Sequence, residues 1–259
     1  MMNGSPTEVV ARVARAPSLL VVCEFDGGIA EFVNDPATAR PVEGAIDVLA
    51  TIGSLPRTRA AVISGRSLES LSAVCTTDQD DARQRGIELI GSDGMEMASH
   101  LTLGLTAAAR RTQRTLLREA ALIADAHPGV TIDAKPYGVA LNVRGAATID
   151  GRHATEQMLD IVRSMPLPVY SQARSQVLDV SVLPVAQDWA IDALRQATAA
   201  TVFYAGNDQR ALASLRSADG RCSIGVACTD ATVRVASPAA LVALLAGLCR
   251  ERACVLDKG

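Results

Sequence analysis

The chain alternates short apolar runs with amphipathic stretches over its first and last thirds. The run from Leu19 to Cys23 is apolar at every position, as in a strand that is buried on both faces. A helical pattern follows from Pro41 to Leu55, and TRAAVISG, residues 58–65, is a second buried strand. The same alternation returns from residue 186 onwards. Strands that alternate with helices predict a parallel sheet covered on both faces.

The middle of the chain has a different pattern. A long helix is predicted over residues 104–126, followed by GVTIDAKPYGVALNVR, two strand-like runs on either side of 136–138. A helix near 153–164 and two further strand-like runs come next. Hairpins mixed with helices predict a smaller α+β unit. We therefore predict an α/β protein with a Rossmann-like core in two parts, 1–99 and 186–259, and an inserted α+β cap domain, 100–185.

Composition narrows the classes of function. Hydrophobic residues make up 49% and aromatics only 3%, so the core is aliphatic and a base-stacking nucleic-acid surface is disfavoured. A formal net charge of −3 gives no general attraction to nucleic acid or an anionic membrane. No run approaches a membrane span, no signal-peptide pattern is present, and the six cysteines lack zinc-like spacing. These features predict a soluble cytoplasmic protein.

Polar residues stand at the ends of the predicted parallel strands, where open sheets bind ligands. Glu24 and Asp26 are two residues apart and point the same way, which suits a shared cation, a shared proton, or a nucleophile with its acid. The other strand ends carry Ser64-Gly65-Arg66, Ser92-Asp93-Gly94 and Asn207-Asp208. Each alone could be a turn or a helix cap. Together they favour a phosphate group with a divalent cation.

From about Leu19 to Leu248 the chain resembles the trehalose-6-phosphate phosphatases of the haloacid dehalogenase superfamily. The stretches that carry the resemblance include EFDGGIAEFVNDPATARPVEGAIDVL, RAAVISGRSLESL, ELIGSDGMEM, IDAKPYGVALNVR and VFYAGND. The resemblance implies a haloacid dehalogenase fold and catalysis through an aspartyl-phosphate, in which one carboxylate attacks phosphorus and a second exchanges a proton with the leaving sugar. It also implies a Ser and a Lys at the phosphoryl group, Mg²⁺ beside the nucleophile, and a cap that contacts the sugar.

The site residues follow from the resemblance position by position. The implied catalytic residues are Glu24, Asp26 and Ser64. The implied substrate-binding residues are Gly65, Arg66, Asp93, Glu96, Lys135, Asn142, Arg144 and Asp179. The implied metal ligands are Glu24, Asp26, Asn207 and Asp208.

Several positions depart from the family pattern. Glu24 replaces the nucleophilic Asp, Gly28 replaces a Thr, Asp93 replaces a His, Gln187 replaces the core Lys, and Asn207 replaces an acidic metal ligand. The cap carries smaller changes, Asn142 where His is frequent and Asp179 where Glu is usual. Displacing a nucleophile by about 1 Å can cost on the order of a hundredfold in rate. Losing one electrostatic stabiliser of the transition state costs roughly 10² to 10³.

These departures leave two main hypotheses. The first is a pseudo-phosphatase, with Mg²⁺ binding weakened or lost, that binds a sugar phosphate such as trehalose 6-phosphate or a partner such as a trehalose-phosphate synthase. The alternative is an active Mg²⁺-dependent phosphatase that acts on trehalose 6-phosphate or a related sugar phosphate. A fold retained for packing alone is a third interpretation, which the retained ISGRS stretch disfavours.

Overall fold

The computed structural model describes residues 5–75, 79–97, 104–174, 176–184, 187–198, 200–208, 211–212, 221–226 and 233–257. Contacts divide the chain into two compact units. The first unit consists of Met1–Val33, Ala37–Ala98 and Ala186–Gly259, and the second of Asn34–Pro36 and Ser99–Val185. The second unit therefore lies, for most of its length, between two segments of the first in the sequence.

The first unit contains a seven-stranded sheet. Its strands are β1 (Leu19–Glu24), β2 (Thr58–Ile63), β3 (Ile87–Gly91), β4 (Glu96–Met97), β9 (Thr201–Gly206), β10 (Arg221–Val226) and β11 (Val233–Val235). Their order is β11-β10-β9-β1-β2-β3-β4. The pairs are parallel apart from β3 with β4, which is antiparallel. The predicted parallel sheet is thereby confirmed, and the carboxyl ends of β1, β2, β3 and β9 meet at one edge.

Alternate residues of β1 belong to two separate hydrophobic clusters. Val21 and Cys23 pack in one cluster, while Leu20 and Val22 pack in the other. Both faces of the strand are therefore buried, which explains why its sequence is apolar at every position. The aliphatic composition suits these clusters because β-branched side chains pack closely on a pleated surface.

Helices accompany the strands of the first unit. They are α1 (Pro6–Ala14), α2 (Ala45–Ser54), α3 (Leu68–Cys75), α4 (Gln79–Gln84), α7 (Gln187–Thr198) and α8 (Pro238–Leu256). The prediction that α2 begins at Pro41 is wrong by four residues, since Gly44 caps the helix in the left-handed region with φ 77°. Helix α1 was not predicted, although Ser5 and Glu8 form a capping box at its start.

A buried arginine joins α8 to two distant parts of the first unit. The guanidinium of Arg252, whose residue is 2% exposed, donates to the carbonyl oxygen of Ala14 at 2.9 Å and to the hydroxyl of Thr58 at 3.2 Å. It also donates to the carbonyl oxygens of Ala16 and Arg57. Burial, with the nearby Arg57 charge, lowers the pKa of Arg252. These bonds satisfy carbonyl groups that would otherwise lose their contact with water.

The second unit contains an antiparallel sheet and two long helices. Its strands are β5 (Thr131–Lys135), β6 (Gly138–Asn142), β7 (Tyr170–Arg174) and β8 (Val177–Ser181), in the order β5-β6-β8-β7. Its helices are α5 (Ala107–Ala126) and α6 (Thr148–Ser164). The prediction that the second helix begins near residue 153 places its start five residues too late. None of the helices in the described parts of the chain is long and apolar enough to cross a membrane.

The register of this sheet separates apolar from polar side chains. Val139 pairs with Val180 and Leu141 with Leu178, and all four are buried. Alternate positions of the four strands lie on the opposite face, where several side chains are polar. They include Lys135, Asn142, Gln172 and Asp179.

Candidate active site

Glu24 ends β1 and is 8% exposed. Because β1 and β9 are parallel neighbours, its side chain lies beside the end of β9. Its Oε2 accepts hydrogen bonds from the backbone N–H groups of Asn207, at 2.7 Å, and Asp208, at 3.1 Å. A Cβ at Gly206 would lie 2.6 Å from that oxygen, so the path of the Glu24 side chain needs a glycine there. One oxygen of the carboxylate at the implied nucleophile position is thus held by two backbone donors.

Asp26 forms a two-point ion pair with Arg66. The Nε of Arg66 lies 2.8 Å from Asp26 Oδ2, and its Nη2 lies 2.7 Å from Oδ1. The guanidinium also lies over the ring of Phe25, 5.3 Å from its centroid. Paired N–H donors on a planar guanidinium fix a carboxylate in position and orientation. The carboxylate at the implied acid–base position therefore has both oxygens bound to Arg66.

The turn after β1 explains why glycine stands where the family pattern has threonine. Ile29 donates its N–H to the carbonyl oxygen of Glu24 at 2.9 Å, which closes a tight turn. A Cβ at Gly28 would lie 1.9 Å from the same carbonyl oxygen. No threonine fits at residue 28 unless this turn changes its conformation. The replacement of threonine by glycine at residue 28 therefore removes a hydroxyl and also permits this path of the backbone.

Asp93 and Gln187 form a buried polar pair at the end of β3. Gln187 donates from Nε2 to Asp93 Oδ1 at 2.9 Å, and both residues are under 5% exposed. The hydroxyl of Tyr204 lies 3.4 Å from Gln187 Oε1 and 3.5 Å from Glu24 Oε2. These four residues thus form a continuous polar network, in which the amide of Gln187 occupies the position where the resemblance implies a lysine. Tyr204 was not predicted as a site residue, because its sequence context is that of a buried strand.

Asp93 is held in a costly backbone conformation. Ser92 and Asp93 have φ values of 48° and 54°, both in the left-handed region. Such a conformation costs a non-glycine residue about 1 to 2 kcal/mol, and strain of this kind concentrates at functional sites. The N–H of Ser92 donates to Arg66 O, and that of Asp93 donates to Ser64 O. The backbone of the site is therefore tied to the loop after β2.

Ser64 and Glu96 accept backbone N–H groups at or just before the start of α3. Ser64, which is 2% exposed, accepts the N–H of Arg66 with its hydroxyl oxygen at 3.2 Å, across Gly65. Glu96 Oε2 accepts the N–H of Leu68 at 3.0 Å and the hydroxyl of Ser92 at 2.5 Å. The Glu96 carboxylate thereby satisfies an N–H group at a helix N-terminus.

The implied Mg²⁺ does not fit this arrangement of side chains. Phosphatases of the haloacid dehalogenase superfamily generally use Mg²⁺. Here Glu24 Oε2 faces N–H groups, Asp26 faces a guanidinium, and Asp208 Oδ1 accepts the N–H of Ala211 at 2.9 Å. A carboxylate oxygen that accepts a proton donor in this way presents less of its charge to a cation. Within the described ranges, no group of three or more His, Cys, Asp or Glu residues is placed to hold a metal ion.

The predicted residues of the cap lie in the second unit. Lys135 and Asp179 form an ion pair, and Asn142 Oδ1 accepts the N–H of Arg144 at 3.0 Å. Lys135, Asn142 and Asp179 share the polar face of the four-stranded sheet. The register of this unit therefore brings these three predicted residues to one face.

A sequence model of the trehalose-phosphatase family matches residues 22–210. The trehalose-phosphate phosphatase of Mycobacterium avium is 32% identical over 128 residues, which are 49% of this chain and 31% of the relative. That of Mycobacterium ulcerans is 33% identical over 135 residues, 51% of this chain and 32% of the relative. The chain thus spans about a third of the length of these curated relatives.

Solved structures share the fold. The C-terminal domain of C. albicans trehalose-6-phosphate phosphatase superposes with a TM-score of 0.74 at 17% identity, over 96% of this chain and 99% of that one. A trehalose-6-phosphate phosphatase related protein gives 0.71 at 17% identity, over 93% and 100%. The core has the haloacid dehalogenase fold. With the family match over most of its length, the chain belongs to the trehalose-phosphatase family.

Proposed function

We propose that this chain binds a sugar ligand of the kind that trehalose-phosphatases bind. We also propose that it does not hydrolyse the phosphate ester of that sugar. The observation that carries the proposal is the position of Glu24 Oε2, which accepts two backbone N–H groups at 2.7 and 3.1 Å. A nucleophile must bring an oxygen to within about 3 to 3.5 Å of phosphorus, with the attacking orbital aligned. Two hydrogen bonds to one carboxylate oxygen lower its nucleophilicity and hold the Glu24 side chain at the end of β9.

The acid–base position is impeded in a second way. Asp26 would have to donate a proton to the leaving sugar oxygen and then accept one from water. Both of its oxygens are bound to Arg66, at 2.7 and 2.8 Å. The guanidinium thus competes with a leaving group or a water for both oxygens of this carboxylate.

The transition state also lacks the stabilisation that the family's lysine would give. Gln187 is uncharged, and its amide donates to Asp93. A missing electrostatic stabiliser costs roughly 10² to 10³ in rate, and a displaced nucleophile on the order of a hundredfold. Such losses do not add simply, but all three act on the same chemical step. They support binding without turnover.

Phosphate release from trehalose 6-phosphate tests the proposal. The full chain and its Asp26→Asn variant are assayed side by side, each with and without MgCl₂, because the variant reports contaminating phosphatase. We expect equal background release from both proteins. Release by the wild-type chain that disappears in Asp26→Asn would show turnover through this site, and the proposal would be wrong.

A further inference from the structure

Side-chain donors at the carboxyl edge of the core sheet already hold carboxylates of the chain itself. The guanidinium of Arg66 holds Asp26 at two points, and the amide of Gln187 holds Asp93 at 2.9 Å. A phosphate group is recognised by donors of this kind, and Arg is the best of them because its N–H groups form a planar fork. An incoming phosphate would therefore compete with a carboxylate for each of these donors.

Backbone donors at the same edge are occupied in the same way. Helix N-termini bind phosphate through their N–H groups, but the N–H of Leu68 at the start of α3 holds Glu96 at 3.0 Å. The N–H groups of Asn207 and Asp208 hold Glu24. Four carboxylates thus occupy donors of the kind that bind the oxygens of a phosphate ester.

Among the described side chains at this edge, the balance of charge opposes a phosphate further. The side chains named here comprise five carboxylates, on Glu24, Asp26, Asp93, Glu96 and Asp208, and one guanidinium, on Arg66. A phosphate monoester carries a charge of about −1.5 to −2 at pH 7. Like charges repel more strongly at a partly buried site than in water. Without a bound cation, this site disfavours a phosphate ester.

An uncharged sugar is not repelled by these carboxylates and can donate hydrogen bonds to them. Each of its hydroxyl groups can donate a proton, and an ionised carboxylate has two oxygens with about four acceptor positions in total. The Asp26 carboxylate, whose side chain is 19% exposed, can therefore accept a sugar hydroxyl while it keeps its bonds to Arg66. We infer that this site prefers the uncharged sugar to the sugar phosphate, so that its ligand is of the product class of a sugar phosphatase. The inference rests on the proposed function, which supplies the sugar.

Calorimetric titration of the full chain tests the preference. Trehalose and trehalose 6-phosphate are compared without divalent cation, and glucose with glucose 6-phosphate forms a second pair that differs by the same group. We expect the dissociation constant of each phosphate ester to exceed that of its parent sugar at least tenfold. We also expect the ratio of these two dissociation constants, ester over parent sugar, to fall as salt is added, because salt screens charge repulsion.

Two variants locate the effect. Asp93→Asn removes one charge, keeps an acceptor for Gln187 and suits the left-handed backbone at residue 93, because Asn tolerates that region. It should lower the ratio several-fold. Glu88→Gln is the matched control, since it removes a carboxylate from β3 that instead pairs with Arg59. It should leave the ratio unchanged. Circular dichroism shows whether each variant is folded.

Several outcomes overturn the inference. Equal or tighter binding of the phosphate ester without a cation does so, as does the absence of binding by either sugar. A ratio that ignores both salt and Asp93→Asn also does so, because the preference would then have another cause. The absence of any sugar binding would refute the proposed function as well, and so would phosphate release that depends on Asp26. Tight binding of the ester without release would refute the inference alone.

Discussion

Glu24→Asp restores the residue of the family pattern and should nevertheless destabilise the protein. The substitution shortens the side chain by one methylene, about 1.5 Å. The backbone of Glu24 is fixed by the parallel pairing of β1 with β2, so the carboxylate cannot follow. It then no longer reaches the N–H groups of Asn207 and Asp208, which it now accepts at 2.7 and 3.1 Å.

The size of the effect follows from these two bonds. Hydrogen bonds to a charged group contribute about 1.5 to 3 kcal/mol each, which gives an upper range of about 3 to 6 kcal/mol. Asn207 and Asp208 are only partly buried, so water can replace part of the loss. We expect a decrease of about 2 to 3 kcal/mol in the free energy of unfolding, and a melting temperature lower by about 4 to 10 °C.

Urea unfolding followed by circular dichroism measures this difference. Glu88→Asp is the matched control, because it shortens a carboxylate of the same sheet whose partner Arg59 has a side chain 42% exposed. An ion pair near the surface contributes under about 1 kcal/mol. A Glu24→Asp protein as stable as the wild type, or more stable, would refute the reasoning. Glu24 would then be poised for chemistry rather than held by its donors, and the basis of the proposed function would be lost.

Three further predictions concern metal, the buried arginine and a buried thiol. Millimolar MgCl₂ should not raise the melting temperature, since only a bound ligand stabilises the folded state, and a saturating rise would contradict the misfit described above. Arg252→Met should lower the free energy of unfolding by about 3 kcal/mol in urea titrations, because buried carbonyl groups lose their donor; a change under about 0.5 kcal/mol would disprove this. Burial raises the pKa of Cys23 from 9.0 to about 12, so the folded state keeps a proton that the unfolded state releases. Stability should therefore fall as the pH rises from about 9 to 12, and Cys23→Ala should flatten that fall.

The sheet was predictable because its physical signal is local. A run that is apolar at every position, as in β1, indicates burial on both faces, and the two hydrophobic clusters on either side of β1 bear this out. Helix boundaries were less predictable. The start of α2 depends on Gly44 entering the left-handed region, and a glycine permits that conformation without requiring it.

The candidate site was predictable as a set of residues and not as a set of bonds. Parallel strands bring their carboxyl ends together, so Glu24 and Asp93 could be placed on one edge from the sequence alone. Their partners could not. Gln187 is 94 positions from Asp93 in the sequence. The residues around Tyr204 do not indicate that its hydroxyl lies near Glu24. The resemblance showed which residues had changed, but only the structure shows that the changed residues bind one another.

The contacts of Arg252 have a consequence for synthesis on the ribosome. Arg252 binds Thr58 across 194 positions and Ala14 across 238. At roughly 5 to 20 residues per second, the ribosome needs about 10 to 40 s to travel from Thr58 to Arg252. The second unit is encoded almost contiguously and emerges within that interval. We therefore expect the second unit to fold before the first, whose early strands form their contacts with α8 only after Arg252 has emerged.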